Sequence, residues 1–338
     1  MITSEVSYLK SSAILKPDDL VRMYRLMLLS RRFTECSLEW YREGRLPHGL
    51  HPSIGQEAIG VGACYGLRPG DWVLPSLRTT EAFWTRDVSI LQQLNAEMGN
   101  AASVSRGKEA SHHAGYPGNG ILSGTSIVGG SIPVAVGAGL ALRMQGTDHV
   151  VISFFGDGAS NRGDFHEALN LASVLKVPVV FVCENNGYAQ TVPASTAMAL
   201  KDIADRAAGY GMPGLVIDGQ DVEAVYQATQ SAIQRARTGV GPTLLECKTN
   251  RFRVHHPFFE EDRSPDEVAR CWERDPIEIL GARLKEKGWL GQADIERMEQ
   301  QIRQELEEAI REAEAVPTPT PEEVFTQIYA ESLGEMGL

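Results

Sequence analysis

Strands and helices alternate between residues 149 and 249, and this order constrains the fold more than any other feature of the chain. The apolar runs that predict strands occupy 149–155, 178–184, 214–219 and 243–249, and helical patterns occupy 164–175 and 222–237. Strands that alternate with helices pair in parallel, because each helix forms the crossover between two strands. The sequence therefore predicts an α/β fold: a mostly parallel sheet with helices on both faces.

Helices are also expected before and after the alternating stretch. Pro17 and two acidic residues open a helix that runs to Tyr41, with Gly44 as its stop. Apolar residues at spacings of three and four predict a second helix over Ile54–Cys64. A similar stripe predicts a long amphipathic helix around Ile295–Ile310.

Two stretches between these helices have an unusual composition. The first, Gly107–Gly130, is too rich in Gly, Ser and His for a regular element, and its apolar residues favour an ordered, functional loop. The second, residues 131–144, is predicted to be a helix in which Gly-Ala-Gly at 137–139 lacks bulk. Small residues let another backbone approach closely, so this helix is expected at a packed interface.

Charge and cysteine content exclude several functions. Lys and Arg number 32 against 44 Asp and Glu, a formal charge of −12, which gives no global positive field for nucleic acid or an anionic membrane. The five cysteines are scattered without a C-x-x-C pair, which fits a reduced cytosol. The start lacks a targeting signal, and no stretch of about 18 apolar residues occurs. We expect a soluble, cytoplasmic protein that binds neither nucleic acid nor membranes.

The length permits one large domain or two. With 338 residues, 43% of them apolar, the chain can bury a substantial core. We expect an N-terminal extension and helix over 1–45 and a single α/β domain over 46–315. A proline-rich linker and a short C-terminal helix are expected over 316–338.

The strand at 149–155 leads into Gly156-Asp157-Gly158, which places a carboxylate between two glycines. A dinucleotide fingerprint would need glycine at position 161, where Asn161 stands, and no Gly-Lys-Ser/Thr follows as in a phosphate-binding lysine loop. A strand-to-helix turn with capping side chains is the alternative if the motif stands alone.

A second polar motif, Glu184-Asn185-Asn186-Gly187-Tyr188, ends the next strand, after room for one crossover helix. Both motifs then lie at the carboxyl ends of neighbouring strands, where α/β sheets bind ligands. The Asp157 carboxylate, the Asn186 amide oxygen and the Tyr188 backbone carbonyl would supply three hard oxygens for Mg²⁺. The glycines would let a diphosphate approach the backbone near a helix N-terminus.

This pairing of G-D-G with N-N resembles the signature of thiamine diphosphate enzymes. From about residue 20 to 315, the chain is similar to the alpha subunit of the decarboxylating first component of 2-oxo acid dehydrogenase complexes, in particular the pyruvate and acetoin members. The likeness is closest over 154–189 and 204–222. It implies that the α/β domain binds thiamine diphosphate with Mg²⁺.

The resemblance also assigns roles to histidines and to one arginine. His51 begins a stretch similar to the family's H-x-x-x-G-Q-E-A, whose histidine lies near the substrate. Arg78 matches an arginine that contacts the diphosphate, for which a guanidinium fork is suited. His113 matches the histidine of the Gly-rich loop. His255, in preference to His256, matches the histidine at the phosphate and the mouth of the active site.

These matches give the predicted site. The predicted catalytic residues, which would position substrate and shuttle protons, are His51, His113 and His255. The predicted cofactor-binding residues are Arg78, Val128, Gly156, Asp157, Gly158, Ala159, Asn186, Tyr188 and His255. The predicted metal ligands are Asp157, Asn186 and Tyr188.

The chain departs from the family's pattern at four of its positions. Leu77 and Thr80 replace the tyrosine and histidine that flank the arginine, Val254 replaces a glycine, and His256 replaces a serine. Because His256 has no hydroxyl group, regulation by phosphorylation of the family's serine is excluded at this position. The changes cluster near the entrance through which a lipoyl arm would come.

The resemblance implies that this chain is half of an enzyme. In the family, the glutamate that hydrogen-bonds the aminopyrimidine of the cofactor belongs to a beta subunit, and this chain has little room for a second domain of that kind. We expect the alpha subunit of an α2β2 enzyme that decarboxylates a pyruvate-like or branched-chain 2-oxo acid, or cleaves acetoin. Through a ylid adduct, the acyl unit would pass to lipoyl on an acyltransferase component.

Two alternatives remain at this point. Leu77, Thr80 and Val254 motivate a carboligase or an aldehyde-releasing decarboxylase that uses no lipoyl acceptor. The other alternative is a non-catalytic assembly subunit, against which the intact Asp157 and Asn186 speak.

Overall fold

The computed structural model of the chain describes residues 14–328. Its main sheet has five parallel strands in the order β1-β2-β3-β7-β6, and β4 and β5 form a small antiparallel ribbon. The strands are β1 (Trp72–Leu74), β2 (Val151–Gly156), β3 (Val179–Asn185), β4 (Tyr188–Ala189), β5 (Val192–Pro193), β6 (Gly214–Asp218) and β7 (Thr243–Lys248). The predicted parallel α/β fold is confirmed.

The helices surround this sheet. They are α1 (Pro17–Arg42), α2 (Glu57–Cys64), α3 (Glu81–Thr85), α4 (Ile90–Met98), α5 (Ser131–Met144), α6 (Gly163–Leu175), α7 (Ala194–Ala197), α8 (Val222–Arg237), α9 (Pro265–Trp272), α10 (Pro276–Glu286) and α11 (Gln292–Glu314). The helices predicted at 131–144 and 222–237 have those bounds, and the one predicted from Asp164 begins at Gly163.

Each strand of the sheet centre contributes to two hydrophobic cores. In β2, Val151 and Phe155 pack with α5 and α6, whereas Ile152 and Phe154 pack with α2 and α8. Successive side chains of a strand point to opposite faces, and here both faces are covered by helices. That arrangement explains why β2 and β3 are nearly continuous apolar runs in the sequence.

The N-terminal and C-terminal helices share a third core. Met23 and Met27 of α1 pack in one buried cluster with Ile302 and Leu306 of α11. The predicted first helix is confirmed: it ends at Arg42, shortly before a glycine with φ +74° at position 44. The division of the chain into parts at residues 45 and 315 stays a prediction.

The second predicted helix begins later than expected. We placed its start at Ile54, but α2 begins at Glu57, because Gly55 adopts a φ of +99°, outside the helical region. A side chain at Gly55 would also collide with the backbone carbonyl of Asn250. The close approach of these two loops therefore sets the start of α2.

The small residues of α5 have two environments. A Cβ on Gly139 would lie 2.7 Å from Val179 Cγ2, so this glycine lets α5 pack closely on β3. Nothing lies within 4 Å of a Cβ on Gly137, and the nearby Val134 is 53% exposed. Part of the small-residue surface thus packs within this chain, and part faces outward.

The loop at Gly107–Gly130 is irregular, as predicted, but it contains two short 3-10 turns, at Ser111–His113 and Pro117–Asn119. Near the C-terminus, a single 3-10 turn covers Pro321–Phe325, and the rest of the expected last helix falls after residue 328, outside the described residues. Among residues 14–328, no helix is long and apolar enough to cross a membrane.

Candidate active site

A cavity of about 320 Å³ lies at the carboxyl ends of β2 and β3. These ends are adjacent because Gly156 pairs with Glu184 in the parallel register. The cavity is lined by all of the predicted cofactor-binding residues: Arg78, Val128, Gly156, Asp157, Gly158, Ala159, Asn186, Tyr188 and His255. Residues from five separate parts of the chain are thereby brought to one place.

Asp157 follows directly after β2 and is only 2% exposed. Its carboxylate forms no ion pair with another described residue. Burial raises its pKa to about 6, although the backbone N–H groups of Asp157 and Gly158 and the charges of Arg251 and Arg78 oppose the rise. A buried carboxylate that has no basic side chain as an ion-pair partner is well suited to bind a cation.

Asn186 is held by the residue that precedes α2. Its Nδ2 donates to Gln56 Oε1 over 2.8 Å, and its Oδ1 accepts the backbone N–H of Tyr188 over 3.1 Å. Gln56 lines the cavity, and its buried Nε2 has no partner among the described residues. We did not predict Gln56, although it belongs to the H-x-x-x-G-Q-E-A stretch that begins at His51.

The two glycines around Asp157 serve different purposes. A Cβ on Gly156 would meet nothing within 4 Å, so this position leaves open space in the cavity wall. A Cβ on Gly158 would lie 2.6 Å from Ala189 Cβ, so Gly158 is required for packing against β4. Room for a ligand next to the backbone is therefore found at Gly156.

Two buried arginines have no carboxylate partner among the described residues: Arg78 lines the cavity, and Arg251 donates to the backbone carbonyl of Gln190, which also lines it. Arg78 and Arg251 are 8% and 3% exposed, and neither forms an ion pair with a described residue. Burial, together with the charge of Arg251, lowers the pKa of Arg78 to about 9. The Nη1 of Arg251 is buried without a partner in the described part of the chain. Uncompensated cations with free donors fit an anionic ligand such as a diphosphate.

The loop that carries Arg78 is fixed by Glu184. The buried Glu184 carboxylate at the end of β3 accepts from Ser76 Oγ over 2.5 Å and from Thr79 Oγ1 over 3.1 Å. Burial raises the pKa of Glu184, and these hydrogen bonds and the charge of Arg78 oppose the rise. The carboxylate thus anchors both ends of the Ser76–Thr79 segment beside the cavity.

His255 is a neutral imidazole with a defined tautomer. Arg78 Nη2 lies 2.8 Å from His255 Nδ1 and also donates to the His255 carbonyl over 3.0 Å. A guanidinium can only donate, so Nδ1 is the acceptor and the proton is on Nε2. Burial, then the charges of Arg78, Arg251 and His256, lower the pKa of His255 to about 3.

His51 belongs to a group of closely spaced imidazoles. Its ring centroid lies 4.9 Å from that of His255, 5.2 Å from His256 and 6.3 Å from His112. Burial first, and then the charges of Arg78 and the surrounding histidines, lower the pKa of His51 to about 2. His51 is therefore neutral at physiological pH and has a nitrogen that can accept a hydrogen bond.

His113 lies at the edge of this group, next to His112. Its Nδ1 contacts Glu109 Oε2 over 2.6 Å, its Nε2 accepts the backbone N–H of Ser126 over 3.1 Å, and it does not line the cavity. His112, 4.5 Å from His113, is the residue that faces His51. Both histidines belong to the 3-10 turn Ser111–His113.

The departures from the family pattern lie beside these histidines. Leu77 lines the cavity, and Thr80 Oγ1 donates to Ser53 Oγ over 3.1 Å. Leu77, Thr80 and His51 together line a second, much smaller chamber. Val254 is half-buried next to His255.

A parallel α/β domain whose strand ends gather hard oxygens, unpaired arginines and neutral histidines defines an enzyme that uses an anionic cofactor. The chain belongs to the family described as dehydrogenase E1 component, whose sequence model matches residues 24–322. The resemblance stated from the sequence is thereby confirmed. Membership implies thiamine diphosphate as the cofactor and a beta subunit as a partner.

Three curated relatives show which members of the family are similar. The alpha subunit of acetoin:2,6-dichlorophenolindophenol oxidoreductase from Bacillus subtilis (strain 168) is 39% identical over 313 residues, covering 91% of this chain and 92% of the relative. The 2-oxoisovalerate dehydrogenase subunit alpha of the same organism is 39% identical over 94% and 97%. The pyruvate dehydrogenase E1 component subunit alpha of Rhizobium meliloti (strain 1021) is 36% identical over 93% and 90%.

Proposed function

We propose that this chain is the alpha subunit of an α2β2 enzyme that oxidatively decarboxylates a small 2-oxo acid, or cleaves acetoin, with thiamine diphosphate and Mg²⁺. The observation that supports it most strongly is the cavity at the ends of β2 and β3. There the buried Asp157 carboxylate and the Asn186 amide share the cavity with Arg78, which has no carboxylate partner among the described residues.

The residues of the cavity divide into two groups by their chemistry. The Asp157 carboxylate, Asn186 Oδ1 and the Tyr188 carbonyl would hold Mg²⁺, which prefers oxygen ligands. Arg78, the backbone at Gly156 and the Nε2–H of His255 would bind diphosphate oxygens. Bound thiamine diphosphate supplies a nucleophilic carbon and an electron sink after loss of CO₂.

The histidines would act on the substrate. His51 is neutral and can accept a hydrogen bond from the substrate, and His255 carries its proton on the nitrogen away from Arg78. His113 stays a prediction, and the position of His112 between His113 and His51 makes His112 a further candidate. Exclusion of water by the surrounding aromatic rings, such as Phe259 beside His255, would strengthen these contacts.

The acceptor of the acyl unit is proposed to be lipoyl on an acyltransferase component. A carboligase, or a decarboxylase that releases aldehyde, is the second candidate. Leu77 favours it, because an apolar side chain lines the cavity where the family pattern has a tyrosine. We place the enzyme in the cytoplasm, which agrees with the five free cysteines of the described chain.

The experiment is a substrate comparison with the co-expressed beta chain. The assembled enzyme should reduce 2,6-dichlorophenolindophenol with acetoin, pyruvate or 2-oxoisovalerate, and should acylate a lipoyl domain with the same substrate. Steady release of aldehyde or acyloin without lipoyl acylation would establish the second candidate. Absence of turnover with all three substrates, together with absence of thiamine diphosphate binding, would refute the proposed function.

A further inference from the structure

A small chamber of about 20 Å³ lies next to the cofactor cavity. Its polar walls include His51, Thr80, Glu97 and His112. Ser76 and Leu77 line both the chamber and the cavity, so these two residues form the partition between them. A volume of this size is sufficient for one water molecule but not for a larger ligand.

Glu97 has an unsatisfied oxygen at this chamber. The side chain stands near the end of α4 and is 2% exposed. Its Oε1 lies 3.4 Å from Gln93 Nε2, whereas its Oε2 has no hydrogen-bond partner among the described residues. A buried carboxylate oxygen without a donor is costly, so a donor inside the chamber is expected.

The His51 ring also lacks a hydrogen-bond partner. Its half-buried ring forms no hydrogen bond with any residue of the described chain, although it contacts the rings of His255 and His256. Buried polar groups nearly always have a partner, from protein or from ordered water. His51 and Glu97 line the same chamber, so one molecule can serve both.

We propose that one internal water molecule in this chamber joins Glu97 to His51 and makes Glu97 a positioning residue for His51. The water would donate to Glu97 Oε2 and accept an N–H of His51. Because a neutral imidazole has only one N–H, this contact fixes which nitrogen of His51 carries the proton and leaves the other as the acceptor. The proposal rests on the proposed function, in which His51 acts on the substrate.

The side chains around Glu97 hold its carboxylate in place at the chamber. Burial raises the pKa of Glu97, and the charge of His48 and the nearby Ser111 hydroxyl and Gln93 amide oppose the rise. Tyr116 donates to Gln93 Oε1 over 3.3 Å and so orients the amide that faces Glu97. Several residues thus hold the carboxylate at the chamber.

A double-mutant cycle in the assembled enzyme tests the coupling. Glu97→Gln should lower kcat roughly tenfold and leave KM unchanged, because it disturbs the orientation of His51 rather than binding. In a His51→Gln background, Glu97→Gln should cause no further loss, since its effect passes through His51. Glu109→Gln is the matched control: it removes a carboxylate on the outer side of the histidine group, and its effect should be additive with His51→Gln.

A crystal structure of the assembled enzyme provides a readout that does not depend on turnover. We expect one ordered water within hydrogen-bond distance of both Glu97 Oε2 and the His51 ring. An empty chamber, or additive effects of Glu97→Gln and His51→Gln, would overturn the proposal. If the unchanged enzyme turns over no substrate, the proposed function fails, and the crystal structure alone still decides whether the water joins the two residues.

Discussion

Asn186 donates its side-chain amide to Gln56 over 2.8 Å, which joins the loop after β3 to the residue that precedes α2. The contact leaves Asn186 Oδ1 with one partner, the backbone N–H of Tyr188. An amide oxygen has two lone pairs, so Oδ1 retains the capacity to bind a cation. Gln56 therefore orients a proposed metal ligand without being one itself.

Gln56→Ala tests this orientation. Loss of the hydrogen bond should let the Asn186 amide rotate and weaken Mg²⁺-dependent binding of thiamine diphosphate roughly tenfold, as expected for a residue that orients a metal ligand. Calorimetric titration of the cofactor measures the effect. Gln92→Ala removes a glutamine that caps α4 instead and should leave the affinity unchanged. Equal affinities for the Gln56→Ala variant and the unchanged chain would contradict the assignment.

Asp157 should make both cofactor binding and stability depend on pH. Its pKa is raised to about 6 in the folded chain from 3.8, so the ionised carboxylate destabilises the cofactor-free fold above pH 6, and this destabilisation disappears as the pH falls below about 4. The metal needs the ionised form, so affinity for Mg²⁺ and thiamine diphosphate should fall as the pH decreases through about 6.

Asp157→Asn separates these two effects. The variant should lose Mg²⁺-dependent cofactor binding, yet its cofactor-free form should unfold at a higher temperature at pH 7, because a buried charge has been removed. The gain is at most about 3 kcal/mol on the scale of 1.36 kcal/mol per pKa unit. Asp164→Asn, at the partly exposed carboxylate in the first turn of α6 that pairs with Arg162, is the control. Unchanged cofactor affinity in Asp157→Asn would refute the metal site.

Arg78→Gln should weaken thiamine diphosphate binding at least tenfold, because a charge-assisted hydrogen bond to phosphate contributes about 1.5–3 kcal/mol. The same change removes a positive charge beside His255, so the pKa of His255 should rise from about 3. Calorimetry and NMR titration of the His255 ring measure the two effects. Arg22→Gln, at a largely exposed arginine, should change neither. A cofactor affinity that is insensitive to Arg78→Gln would place the diphosphate elsewhere.

The two glycines of the G-D-G motif allow a matched pair of substitutions. Gly158→Ala should destabilise the fold by about 1–3 kcal/mol, because the new Cβ would lie 2.6 Å from Ala189 Cβ. Gly156→Ala should leave the fold stable but reduce cofactor affinity, because its Cβ would project into open cavity space. Chemical unfolding and calorimetry together measure both. The reverse pattern would show that the roles of the two glycines are exchanged.

Local pattern was sufficient to predict the central features of the fold and site. The apolar runs predicted β2 and β3, and the polar motifs at Gly156–Gly158 and Asn185–Asn186 predicted that the carboxyl ends of these strands form the site. Apolar runs and turn residues are local signals, so the sequence alone shows them. Strand β1 was missed, since three residues (Trp72–Leu74) are too few to show a period.

The contacts that build the site join distant parts of the chain, and the sequence analysis predicted neither these pairings nor Gln56. Gln56 and Asn186 are 130 positions apart, and Arg78 and His255 are 177 apart. No sequence window contains both members of either pair. His112 was not predicted for a different reason: the resemblance assigned the role to the adjacent His113.

The central claim is that this chain supplies one half of an active site and that a beta chain supplies the other. The described surface is consistent with a partner: Ile127 and Val128 at the cavity, and Val134 on α5, are each more than half exposed. An obligate interface of this kind buries on the order of 2,000 Å² or more and is more apolar than ordinary surface.

Turnover by the isolated chain, compared with turnover by the chain co-expressed with its beta partner, tests this claim most directly. We predict no detectable oxidation of acetoin, pyruvate or 2-oxoisovalerate by the chain alone, and steady turnover by an assembly whose mass in sedimentation corresponds to α2β2. Turnover by the isolated chain at the rate of the co-expressed pair would contradict the account, because the carboxylate that activates the cofactor would then have to lie within these 338 residues.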